Sequence, residues 1–204
     1  MAKEFEKQEE FRRFCESFDR AADRNADHYA EWYVETSKKF ISMIKEAKAS
    51  AGDKKGLIYT AMTMTAMRIA FEAHKEQKDK SGMPYIFHPI HVAEQVQGET
   101  AVCAALLHDV VEDSDMTFET LAAAGISDRV IAVLKLLTHS PGEGYRAYVK
   151  RIKESGNTVA IQVKLADLRH NSDLTRYSES FDEKMWNLYN RYVDAIAILE
   201  QVPG

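Results

Sequence analysis

Residues 101–107 read Ala-Val-Cys-Ala-Ala-Leu-Leu and run directly into His108-Asp109, with Glu112-Asp113 close behind. An apolar run of this kind asks for a buried helix. Ionisable side chains at the end of a buried element cost free energy unless something compensates them, and the simplest compensation is a bound cation. On a continuous helix His108 and Glu112 would stand one turn apart, as would Asp109 and Asp113. The His-Asp pair then faces one small volume with two further carboxylates beside it, which is the geometry of a metal site with acid–base groups at its edge.

The rest of the chain is helical in pattern, and the expected class is all-α. Phe11, Phe14, Cys15 and Phe18 recur at helical spacing, and a second helix carries Trp32, Phe40, Ile41 and Ile44. The glycines and charges of residues 50–56 form the clearest linker. They set an N-terminal helical hairpin, residues 1–52, apart from a main domain, residues 57–204. In that domain a helix is expected over 57–76 and a loop over 78–85, with Pro89 suiting the first turn of the next helix. Thr117 and Ser127 are N-cap candidates, and Gly125 and Gly156 are helix stops. Pro141-Gly142-Glu143-Gly144 is a turn, and Tyr145, Tyr148, Val149 and Ile152 follow at helical spacing. Asp182 is the expected cap of a final helix bearing Met185, Leu188, Tyr192, Ile196 and Leu199. Val159, Ile161, Val163 and Leu165 alternate as a strand would, but a single strand would have no partner, so the segment is read as a buried helix.

Composition narrows the function. A chain of 204 residues with 45% hydrophobic content can bury a real core. A net charge of −5 without a lysine–arginine block argues against binding nucleic acid, though a local basic pocket suits a small polyanion. Two cysteines without a Cys-x-x-Cys pair indicate neither a disulfide framework nor a thiolate zinc site. The charged N-terminus has no signal core, and no apolar stretch is long enough to span a bilayer. A cytoplasmic protein that does not engage membranes is the expectation. The aromatics of the first two helices suit a core or the face of a homodimer.

Three patches carry candidate chemistry: Gly82-Met-Pro-Tyr-Ile-Phe-His88-Pro, the His108-Asp109/Glu112-Asp113 group, and Lys164-Leu-Ala-Asp167-Leu-Arg-His170-Asn171. Together they offer imidazole and carboxylate ligands, a set that fits Mn²⁺, Fe²⁺ or Zn²⁺. A divalent ion so held lowers the pKa of water and polarises a phosphoryl oxygen, and a neighbouring carboxylate orients or deprotonates that water. Hydrolysis of a phosphate ester or anhydride is the natural reaction class. Each patch also has a plainer reading: His88 as a turn histidine, Asp167 as the ion-pair partner of Arg169 or Lys164, and His74, His91 and His139 as ordinary helix residues.

Taken in order, Pro84-Tyr-Ile-Phe-His88-Pro, Leu107-His-Asp-Val-Val-Glu-Asp113 and Lys164-Leu-Ala-Asp-Leu-Arg-His-Asn171 resemble the motifs of the HD-domain metal-dependent phosphohydrolases. They look most like the (p)ppGpp hydrolase branch, which holds RelA/SpoT-type hydrolase domains and small alarmone hydrolases. The resemblance covers roughly residues 57–199. It implies an HD-domain helical bundle of about ten helices, with the N-terminal hairpin outside the family core. It implies that His88, His108, Asp109 and Asp167 hold one divalent ion, Mn²⁺ in the first instance. Glu112 and Asp113 are implied to handle the attacking water, and Lys80 and Asn171 to contact a nucleotide substrate. The implied reaction removes the 3′-pyrophosphate of a guanosine tetra- or pentaphosphate. A related nucleotidase acting on another phosphate compound is the alternative, because Asp79-Lys80 stands where the family carries Arg-Lys. A non-catalytic binding module fits less well, since it has no need of both Glu112 and Asp113.

Overall fold

The computed structural model describes residues 35, 38, 41, 42, 45, 46, 56–80, 82–176 and 183–201. The expected cap at Asp182 and most of the N-terminal hairpin lie outside them. The chain divides into two compact units, Met1–Ala49 and Ser50–Gly204. The second contains α1 (Ala61–His74), α2 (Phe87–Gln95), α3 (Glu99–Leu107), α4 (Val110–Asp113), α5 (Phe118–Ala123), α6 (Asp128–Leu137), α7 (Tyr145–Glu154), α8 (Thr158–Asn171), a 3₁₀ turn (Leu174–Arg176) and α9 (Glu183–Glu200). The described residues hold no strand, only an isolated bridge between Lys78 and Pro84, and the fold class is all-α as expected.

Residues 101–107 are all buried, and α1, α2, α6 and α8 pack around α3. That helix is apolar on every side because every side has a neighbour. Leu106 and Leu107 are among the largest fully buried side chains, alongside Leu134 of α6 and Leu168 of α8. Leu106→Ala is expected to lower the unfolding free energy by about 2–5 kcal/mol, read from denaturant titration of the full chain.

The ambiguous segment 158–171 is helical, opened by Asn157, whose side-chain oxygen accepts from the Ala160 amide at 3.0 Å. Thr117 caps α5 through a reciprocal pair with Thr120. Gly125 and Gly156 stand past helix ends at φ +91° and +62°, where a side chain would be strained. One detail differs from expectation. Ser127 occupies an N-cap position but its side chain makes no capping bond. α2 starts at Phe87, so Pro89 sits within its first turn, as expected.

The difference that matters most lies at the His-Asp pair. The helix does not continue through it: α3 ends at Leu107, and α4 starts at Val110 with Asp109 as its N-cap. Adjacent side chains on a regular helix diverge by about 100°. The break between α3 and α4 lets His108 and Asp109 turn into one volume, and Nε2 of His108 lies 3.1 Å from Oδ2 of Asp109.

Candidate metal centre

Four side chains from three parts of the fold converge. His88 comes from the start of α2, His108 and Asp109 from the α3–α4 junction, and Asp167 from α8. The two Nε2 atoms are 3.2 Å apart. Asp167 Oδ1 lies 3.2 Å from His88 Nε2 and 3.7 Å from His108 Nε2. Asp109 Oδ2 lies 3.7 Å from His88 Nε2. For metal–nitrogen and metal–oxygen bonds of about 2.0–2.2 Å, neighbouring donors in a tetrahedral or octahedral shell stand roughly 2.8–3.6 Å apart. His88, His108 and Asp167 keep about 5% or less of their side-chain surface exposed, whereas Asp109 keeps 24%. The open side of the cluster is therefore at Asp109.

The protons confirm that a cation suits this cluster. His108 Nδ1 lies 2.7 Å from the Ala105 carbonyl, which can only accept, so Nδ1 carries the proton and Nε2 is bare in the neutral ring. That bare nitrogen faces carboxylate oxygens, which are acceptors too. Such an arrangement needs a positive charge in its middle. Without a metal a proton does that work: burial pushes the His108 imidazolium down, but Asp109 and Asp167 overcome it and hold His108 well above its ordinary value. Asp109 is likewise held well below the carboxylate range; burial opposes this, and His108 outweighs it.

Asp167 is anchored on both oxygens. Lys164 Nζ donates to Oδ2 at 2.7 Å and Asn171 Nδ2 to Oδ1 at 2.5 Å. Burial opposes ionisation, but Lys164 keeps Asp167 charged, and Asp167 in return holds the buried Lys164 ammonium well above its usual value. Asp109 accepts from the Tyr85 hydroxyl at 2.5 Å. Burial and then Asp109 raise the Tyr85 phenol far above its normal range, so it stays a donor. Outer contacts of this type fix ligand orientation in metal sites.

Two cavities of about 390 Å³ each flank the cluster, and both are lined by Asp109, Tyr145, Lys164 and Asp167. The first also takes Lys80, Asn171 and Arg176 into its wall. Lys80 is lowered from its ordinary pKa by burial and then by Arg191, Lys184 and Arg176, which marks this wall as a cluster of cations suited to a polyanion. The second cavity takes in Glu112, His139 and Arg191. Glu112 accepts the His139 amide proton at 2.7 Å. Burial raises the Glu112 carboxyl above its usual value, and Asp109 adds to that against the pull of the His139 amide. Asp113 lines neither cavity and accepts from Gln77 Nε2 at 3.0 Å. Nε2 of His139 and the hydroxyl of Tyr145 are buried with no hydrogen-bond partner among the described residues. Unpaired buried polar atoms cost free energy, and these two stand in a cavity wall where a polar ligand would satisfy them.

The plainer readings sort themselves accordingly. Asp167 pairs with Lys164, while Arg169 reaches Glu200 at 2.8 Å. His74 is buried and bonded to Gln77, and His91 stacks on His170 with ring centroids 4.4 Å apart. Tyr85 lay inside a quoted motif without an assigned contact, and Lys164 was read only as a partner for Asp167. Arg176 had no signal at all, standing in a polar stretch after α8.

A family model described as HD domain matches residues 66–143. The MESH1 guanosine-3′,5′-bis(diphosphate) 3′-pyrophosphohydrolase of Danio rerio is 36% identical over 129 residues, covering 57% of this chain and 71% of that protein. The bifunctional (p)ppGpp synthase/hydrolase SpoT of Escherichia coli K12 is 33% identical over 120 residues, or 52% of this chain. The match spans only 17% of SpoT and 16% of the Aquifex aeolicus pyrophosphohydrolase, both far longer proteins. A solved structure of a metazoan SpoT orthologue that hydrolyses ppGpp aligns at TM-score 0.59 and 26% identity, covering 71% of this chain and 89% of that one. The buried His-Asp cluster, the helical bundle that carries it and these matches agree: the chain belongs to the HD-domain family, in the branch of MESH1 and the SpoT hydrolases.

Proposed function

We propose that the chain is a metal-dependent phosphohydrolase that removes pyrophosphate from a (p)ppGpp-like nucleotide, with residues 57–204 as the HD domain and residues 1–52 as an appended hairpin. The observation that carries this reading is the convergence of His88, His108, Asp109 and Asp167 between two cavities walled by cations. The activity named for the MESH1 and SpoT relatives supplies the substrate class. The four side chains would hold one divalent ion, Mn²⁺ first and Fe²⁺ or Zn²⁺ after it. When bound, the ion would supply Lewis-acid polarisation of a phosphoryl oxygen and acidify water at the site.

The remaining work falls to side chains. Glu112, exposed at the rim of the second cavity and held by the His139 amide, takes the proton of the attacking water. Asp113, positioned by Gln77, is the second carboxylate that orients that water. Lys80 and Arg176 receive phosphate oxygens in the first cavity, and Lys164 stands between the two cavities. Asn171 lines the first cavity while donating to Asp167, so it touches both the substrate space and a ligand. An absence of membrane-length apolar helices among the described residues is compatible with a cytoplasmic site of action.

Asp79 supports a second reading, in which the substrate is another phosphate compound, because its carboxylate rather than an arginine lines the first cavity. One assay separates them. Purified chain with Mn²⁺ is expected to release pyrophosphate from ppGpp, and excess chelator is expected to stop it. Release of inorganic phosphate from other nucleotides, with ppGpp untouched, would replace the first reading by the second.

A further inference from the structure

Arg176 and Asp79 lie beside the cluster without touching it, yet a continuous set of hydrogen bonds leads from them to His88. Arg176 Nη2 donates to Asp79 Oδ2 at 2.7 Å. Its other terminal nitrogen, Nη1, lies 3.2 Å from His170 Nδ1 and 3.1 Å from the His170 carbonyl. His170 Nδ1 in turn lies 2.7 Å from His88 Nδ1. The direction of each bond follows from chemistry. A guanidinium has donors and no acceptor, so His170 Nδ1 is bare and accepts. The hydrogen bond between the two facing Nδ1 atoms needs a proton on one of them, which must then sit on His88. A neutral His88 with its proton on Nδ1 has a bare Nε2, and that is the atom facing His108, Asp109 and Asp167.

We infer that Arg176 is a positioning residue, anchored by Asp79, which fixes the tautomer of His170 and through it presents the bare Nε2 of His88 to the metal. This rests on His88 being a metal ligand. Asp79 suits the anchoring role because its two oxygens have different tasks. Oδ1 accepts the Met83 amide at 3.0 Å, and the Asp79 amide donates to the Met83 carbonyl at 2.9 Å. Those bonds tie down the loop that leads through Tyr85 to His88, while Oδ2 holds Arg176. The 3₁₀ turn that bears Arg176 is itself fixed by Asp173, which accepts from the Thr175 amide and hydroxyl at 2.9 and 2.7 Å. The loop before α2 and the turn after α8 are thus joined at one guanidinium. His91 closes the far face of His170 by ring stacking, so the imidazole is held in place while its proton is assigned.

The test reads tautomers and metal uptake separately. Long-range proton–nitrogen NMR on ¹⁵N-histidine-labelled, metal-free full chain is expected to place the proton on Nδ1 in His88 and on Nε2 in His170. Arg176→Met removes the donor. In a protein that keeps its wild-type far-UV dichroism, it should let His170 exchange tautomers and weaken Zn²⁺ or Mn²⁺ binding by calorimetry about tenfold, the low end for loss of an outer-shell partner. Arg176→Lys keeps a donor and should recover most of that affinity. Asp79→Asn keeps the oxygen for Met83 but loosens the anchor, and should fall between, which keeps the test open if Arg176→Met does not fold. A wild-type His170 with its proton on Nδ1, or a folded Arg176→Met protein with undiminished affinity, overturns the inference. If the wild-type chain itself takes up neither ion, the metal reading of His88 falls and this inference with it. That result is distinct from a metal site indifferent to Arg176.

Discussion

An Asp109→Ala protein is expected to lose metal uptake and turnover together. The charge balance of the cluster explains why a single carboxylate weighs so much. Asp167 is already neutralised by Lys164 at 2.7 Å, so its attraction for a further cation is largely spent. The two imidazoles contribute lone pairs but no net charge. Asp109 carries the uncompensated negative charge, and it does so on the open side of the cluster, where its oxygen is 3.1 Å from one imidazole nitrogen and 3.7 Å from the other. Alanine removes the donor and the charge at once and leaves the Tyr85 hydroxyl without its acceptor. Metal affinity should fall by more than about 100-fold, beyond the loss typical for an outer-shell partner. Calorimetric titration with Mn²⁺, checked by circular dichroism for folding, measures it. Stoichiometric Mn²⁺ retained by folded Asp109→Ala protein would remove Asp109 from the ligand set.

Much of this site was legible along the chain, and the reasons are physical. An uninterrupted apolar run signals burial whichever way it packs, and residues 101–107 are indeed all buried. The histidines and carboxylates stood out because residues of their type seldom border such a run without a compensating partner. Two features were hidden. The break at His108-Asp109 carries no proline or glycine, and both residues stay close to helical backbone angles, at φ −60° and ψ −31° and at φ −100° and ψ −9°. A small change of angle, invisible in composition, redirects two side chains. Arg176 was hidden for another reason: its partner Asp79 lies 97 residues away, and nothing in its neighbours announces the pairing. Asp79 read as a departure from the family pattern; in the fold it is the fixed end of an ion pair. The alternation of Val159, Ile161, Val163 and Leu165 misleads towards a strand because α8 meets α2, α3, α6, α7 and α9 and so has no single apolar face.

Glu112→Gln should separate metal binding from chemistry. The Glu112 carboxylate accepts the His139 amide proton at 2.7 Å, a bond that a glutamine side-chain oxygen can also accept. The substitution is close to isosteric, so the fold and the second cavity should survive it. What glutamine cannot do is take a proton. Burial already lifts the Glu112 carboxyl above its ordinary value, and Asp109 lifts it further, which brings its basicity closer to what proton transfer at neutral pH requires. Loss of a general base costs about 10²–10⁴-fold in rate, so kcat should fall by that factor while KM and the Mn²⁺ dissociation constant stay near wild type. The pattern contrasts with Asp109→Ala, where metal and turnover vanish together. A Glu112→Gln enzyme that turns over at the wild-type rate would move the proton-accepting role elsewhere, with Asp113 as the remaining carboxylate of the pair. An enzyme that instead loses its metal would make Glu112 part of the ion's environment rather than the water's.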